Sequence, residues 1–91
     1  MTSEQIKQVV ELYQQQLSAR GVLPVKFATN GVVPSGVVAL SHVSWMLGEI
    51  PSMLEAGDRE KAMRWLCFIQ GVLWMTGRRT IDQMRDDNRS A

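Results

Sequence analysis

Scarcity is the first thing this 91-residue chain offers, and most of what is scarce removes a class of function. One cysteine, Cys67, can form neither an internal disulfide nor a multi-cysteine zinc site. It sits among bulky apolar residues, which predicts a small buried hydrophobe. One histidine, His42, lacks any second ligand or nucleophile at a supporting spacing, since Ser41 and Ser44 adjoin it without special geometry. Charge of neither sign dominates: ten Lys and Arg stand against nine Asp and Glu, a net +1. Such balance supplies no general electrostatic drive toward nucleic acid or membrane. No phosphate-cradling glycine loop is present, and no apolar run is long and uninterrupted enough to span a bilayer. The start, Met1-Thr2-Ser3-Glu4-Gln5, is not that of a signal peptide, so a soluble, cytoplasmic protein is expected. With no catalytic, metal or cofactor motif, the chain reads as a non-enzyme that needs no cofactor.

What is abundant is apolar residue, 45% of the chain, with three tryptophans. The run Arg64 to Met75 is a helix apolar on nearly every side, whereas a surface helix in a small domain needs one apolar stripe. A domain of this size hides only roughly two thirds of its unfolded surface. Part of that helix is therefore expected to meet a partner, most simply a second copy.

The pattern predicts an all-α fold in a single domain, 1–91. A first helix, about 3–20, opens on a capping box of Thr2 and Gln5 and buries Ile6, Val9, Val10, Tyr13 and Leu17; Gly21 ends it. Residues 22–35 hold Pro24, Gly31 and Pro34 between valines and Phe27, an ordered loop with room for one short strand, lying against the helices. Ser35 is placed to cap a second helix, about 36–56, whose seam Leu40, Val43, Leu47, Ile50 and Leu54 steps by 3 and 4. Pro51 inside it predicts a kink. After Gly57-Asp58 a third helix, about 59–76, carries the seam Ala62, Leu66, Ile69 and Leu73, so the two form a central antiparallel hairpin. Gly77 stops it, and Thr80 with Gln83 opens a short helix, about 80–87, that Ile81 and Met84 fold back; the tail from Asn88 is expected to fray.

Beside the seam, Trp65, Phe68, Val72 and Met75 form a further apolar row, and Trp74 lies off both. These five residues are the expected oligomer interface. A contact surface for a partner is placed at His42, Trp45, Arg78 and Arg79. Tyr13, Lys26, Asn30 and an arginine could instead line an anion pocket between subunits, because aromatic stacking with Lys or Arg charge suits a nucleotide. The third helix, its turn and the Thr80 helix also have the outline of a helix-turn-helix, although Asp82, Asp86 and Asp87 on the would-be recognition helix repel phosphate.

The stretch Ser41-His42-Val43-Ser44-Trp45-Met46, then Glu60-Lys61-Ala62-Met63-Arg64-Trp65-Leu66, Phe68-Ile69-Gln70-Gly71, Trp74, Gly77, Thr80-Ile81 and Asp87-Asn88 resembles a family of small, uncharacterised phage and prophage proteins. The resemblance covers about residues 38–89. Its positions are mostly packing and turn residues, so it implies a shared fold and transfers no catalytic role. By analogy with small phage proteins, the leading reading is a non-enzymatic accessory protein in a bacterial host, self-associated, that occludes a host protein or defence component. Sequestration of a small nucleotide signal between subunits is the alternative, and a DNA-binding regulator the second alternative.

Overall fold

The computed structural model describes residues 1–33 and 35–89. Pro34 and the end of the tail, Ser90-Ala91, lie outside the described residues. Four helices appear in chain order: α1 (Ser3–Ala19), α2 (Ala39–Glu55), α3 (Arg59–Met75) and α4 (Ile81–Arg89). The described residues contain no strand, so the short strand allowed for in 22–35 does not form.

Local chemistry explains most of the boundaries. The Thr2 side chain accepts from the Gln5 N–H at 3.1 Å while Gln5 Oε1 accepts from the Thr2 N–H at 2.7 Å, completing the capping box of α1. Asp58 caps α3 by accepting from the Lys61 N–H at 3.1 Å, and Thr80 and Gln83 repeat the reciprocal box before α4. One device closes α1, α2 and α3. Gly21, Gly57 and Gly77 adopt φ of +75°, +81° and +72°, and the next residue's N–H reaches back to Leu17, Met53 and Leu73 respectively. These are Schellman closures, in which only a residue without Cβ takes the left-handed position cheaply.

Two boundary expectations are corrected. Ser35 does not cap α2, which begins three residues later than expected, with Val38 before it and no side-chain cap. Instead the Ser35 carbonyl accepts from the Val38 and Ala39 N–H groups in a tight turn that leads into the helix. The tail does not fray at Asn88, because α4 continues to Arg89. Pro51 lies within α2, which runs unbroken through it, leaving the Leu47 carbonyl without its helical donor.

The hairpin of α2 and α3, joined only by Ala56-Gly57-Asp58, carries α1 across it, and α4 returns to α1. Between them Ile6, Val9, Val10, Tyr13 and Leu17 from α1 meet Leu40, Val43, Met46, Leu47 and Ile50 from α2 and Ala62, Leu66, Ile69 and Leu73 from α3. The α3 seam is buried throughout, and in the α2 seam only Leu54 stays half-buried. No described helix is long and apolar enough to cross a membrane.

Candidate functional site

The crowded helix α3 divides into three faces. Its seam is buried, and beside it Trp65 and Val72, both expected at an oligomer interface, are half-buried against the core. On the outside, Arg64, Cys67, Phe68, Gly71, Trp74 and Met75 follow one another at helical spacing, every one exposed. Past Arg64 this ridge carries no charge at all. Phe68 is 57% exposed, Trp74 52% and Met75 80%, far from the burial such side chains reach in a core. Cys67 is on the ridge too, which corrects the expectation that it is buried: its position, one residue off the seam, faces away from α1 and α2.

The ridge does not end with α3. Trp74 and Ile81 line one shallow groove with Arg78, Arg79 and Thr80, and Ile81 is itself 45% exposed rather than folded under. Gly36 lies against the Thr76 methyl, which brings the exposed Val37 and Val38 to the same end of the molecule. Phe68, Trp74, Met75 and Ile81 are thus all among the exposed large apolar side chains of the described residues. Large apolar side chains exposed along one helix face are the kind of surface that partners cover in other proteins.

A second surface faces the loop. His42 lies between Phe27 and Trp45, with ring centroids 5.9 and 5.4 Å away, and Trp45 meets Trp65 at 5.9 Å. Lysines cover both tryptophans, Lys26 Nζ 5.1 Å from the Trp45 ring and Lys61 Nζ 5.7 Å from the Trp65 ring. His42 Nδ1 accepts from the Phe27 N–H at 3.0 Å, so His42 in this state carries its proton on Nε2. The Val25 N–H donates to the Ser41 carbonyl, a second tie between loop and α2. The loop therefore lies against the helices as expected, through Val22 and Phe27, while Leu23, Val25 and Val32 stay exposed. Lys26 and Asn30 are both on the surface here, and Trp45 is half-buried.

Tyr13 and Arg79 are elsewhere, and neither serves as an exposed contact. Tyr13 is fully buried, its hydroxyl donating to Asp87 Oδ2 at 2.6 Å and accepting from Gln70 Nε2 at 3.1 Å. Arg79 grips Asp87 with both Nε, at 3.0 Å, and a terminal nitrogen. Gln70 and Asn88 exchange hydrogen bonds through their amides, Gln70 Nε2 to Asn88 Oδ1 at 2.7 Å and Asn88 Nδ2 to Gln70 Oε1 at 3.2 Å. Arg78 is half-buried and donates to the Thr76 carbonyl at 2.6 Å. The nucleotide pocket expected from Tyr13, Lys26, Asn30 and an arginine is thus not assembled, because its aromatic member is spent on α4. On α4 itself Asp82 and Asp86 are exposed, where a recognition helix would meet phosphate.

This five-residue knot of Tyr13, Gln70, Arg79, Asp87 and Asn88 is the part that sequence reasoning missed. Burial pushes the Asp87 carboxyl up, but the hydrogen bonds from Arg79 and Tyr13, with the Arg79 charge, outweigh it and hold the group below the ordinary carboxylate range. Burial first, then the bond to Asp87, raises the Tyr13 phenol, and the same carboxylate raises the Arg79 guanidinium. A usable signal existed: Gln70 falls four residues after Leu66 and three before Leu73, on the buried face, where an amide requires partners.

Compared with known protein families, with curated proteins and with solved structures, the chain matches none.

Proposed function

We propose that this protein acts by binding, without catalysis, as a phage accessory protein that self-associates through the α3 ridge and occludes a host protein or defence component in the bacterial cytoplasm. The observation that carries the reading is the ridge itself, a charge-free row of exposed Phe68, Trp74 and Met75 with Ile81 beside its end. Burying such side chains stabilises an association by about 25 cal/mol per Å² of apolar surface removed from water. The resemblance over residues 38–89 supports the phage setting.

Assembly through the ridge leaves the loop-side surface free for the host protein. There Lys26 and Asn30 are exposed, the Lys26 ammonium lies over the half-buried Trp45 ring, and aromatic rings are enriched where proteins recognise one another. Two measurements test the reading. Mass in solution, by sedimentation or light scattering, is expected to exceed the monomer and to return to it when Phe68, Trp74 and Met75 are all replaced by serine. Capture from host lysate is expected to retain a discrete protein with the unaltered chain and to lose it with the surface double variant Lys26→Glu, Asn30→Lys. An unaltered chain that stays monomeric at high micromolar concentration would sink the assembly; capture indifferent to the double variant would sink the recognition surface.

A further inference from the structure

We infer that the segment 22–33 is a pH-sensitive flap: His42 in its neutral form latches it to α2, and a proton on His42 releases it. The device holds whatever the loop-side surface binds, so it stands apart from the function proposed above. Among the described residues two hydrogen bonds cross from the segment to α2. The Val25 N–H donates to the Ser41 carbonyl at 3.0 Å, and the Phe27 N–H to His42 Nδ1 at 3.0 Å. Burial adds little to them. Val22, Phe27 and Val33 are half-buried, every residue at 23–26 and 28–32 is exposed, and the turn bond from the Gly31 N–H to the Ala28 carbonyl stays within the segment.

The Phe27 bond exists in one protonation state only. A neutral imidazole offers a single acceptor nitrogen, here Nδ1, whereas an imidazolium carries a hydrogen on both nitrogens and offers none. No rotation of the ring restores the bond. Protonation also acts on the segment through Trp45, whose ring centroid is 5.4 Å from that of His42 and already seats the Lys26 ammonium at 5.1 Å. Lys26 adjoins Phe27 in the flap. A cation on His42 and one on Lys26 compete for the same ring and repel each other, so the flap loses a hydrogen bond and a cation seat together.

The surrounding elements supply no counter-charge held against the ring. From α3 comes Lys61, over the neighbouring Trp65 ring, and α1 brings Gln14 and Ser18, both uncharged, to the groove beside Trp45. The first turn of α2 contains no acidic residue, so an imidazolium at His42 sits at the positive end of that helix unanswered. Two carboxylates line grooves with Trp45: Glu49, further along α2, and Asp58, which caps α3. His42 enters no ion pair among the described residues. Histidine exchanges its proton between about pH 5 and pH 8, where ordinary carboxylates stay ionised. Asp87 is held lower still, so α4 keeps its fastening while the flap lets go. Release opens the groove that Leu23 and Pro24 form with Ser44, Trp45 and Gly48.

Nuclear magnetic resonance of the full chain reads the latch directly. At about pH 7.5 the His42 ring is expected to be the Nε2–H tautomer, with the Phe27 amide protected from hydrogen exchange. At about pH 5.5 the Phe27 and Val25 amides are expected to lose about tenfold or more of their protection, after correction for the intrinsic rate, while core amides of α1, α2 and α3 hold theirs. His42→Gln, a side chain that accepts but does not titrate, is expected to abolish the pH dependence. His42→Phe keeps a ring without an acceptor and is expected to leave the Phe27 amide unprotected at both values. An Nδ1–H tautomer at the higher pH would overturn the proposal, as would Phe27 protection that is the same at both values in the parent. So would an equal acid loss in His42→Gln, or parent-like protection of Phe27 in His42→Phe.

Discussion

At the scale of single residues, Asp87 is the hinge of the molecule's chemistry. It accepts from the Tyr13 hydroxyl and from two nitrogens of Arg79, with only 7% of its side chain exposed, so its charge is stabilised by partners rather than by water. Its folded carboxyl lies below the ordinary range while the unfolded one titrates near 4. The sign follows: the unfolded chain binds the proton more readily, so this stabilisation is complete above about pH 5 and is lost as pH falls through the folded value. Asp87→Asn is expected to lower stability at neutral pH by about 3 kcal/mol, since Arg79 is left buried without its counter-charge. Denaturant melts across pH 7 to pH 2 check both parts, and the variant is expected to show the shallower decline on the acid side. In the sequence Asp87 belonged to the acidic side of a would-be recognition helix, because its partners Tyr13 and Arg79 lie 74 and 8 positions away. Long-range pairing of polar groups leaves no local pattern, which is why Tyr13 and Arg79 read as free contacts.

Among the helices, legibility followed the strength of the local device. The capping boxes at Thr2 and Thr80 and the stops at Gly21, Gly57 and Gly77 were visible because each joins residues only a few positions apart. The seams of α2 and α3 were visible because a period of 3.6 repeats over several turns. Ser35 misled because a good capping side chain is only a local preference, and the turn from Ser35 to Val38 satisfies the same N–H groups with backbone carbonyls. Cys67 misled because apolar neighbours in the chain are not neighbours in space on a helix: Leu66 is buried and Phe68 is exposed. Pro51 in the interior of α2 brings no N–H to the Leu47 carbonyl one turn back. Pro51→Ala is expected to raise stability by about 1 to 3 kcal/mol, measured as a rise in the midpoint of urea unfolding with an unchanged slope.

As a whole molecule, the protein separates its apolar and polar holdings by side. The core knits α1, α2 and α3, the ridge leaves Phe68, Trp74 and Met75 to solvent, and the pairs of Arg64 with Glu60, Arg85 with Asp82 and Arg89 with Asp86 lie at exposed positions, while that of Arg79 with Asp87 is largely withdrawn from water. An assembly that closes over so uncharged a surface is expected to ignore ionic strength: its mass between 0.05 and 1 M sodium chloride should not fall, whereas a charge-driven complex loses partners over that range. The same separation has a consequence for α4. That helix contributes no buried residue and is held by the knot around Asp87, not by oil. Cooperative unfolding units are defined by shared apolar burial, so α4 belongs to a lower rung of local stability than the three-helix body. Its amides are expected to exchange with solvent faster than those of α1 to α3 when hydrogen exchange is measured, and an opening of this one segment would carry Ile81 away from Trp74 and take the far end of the ridge with it.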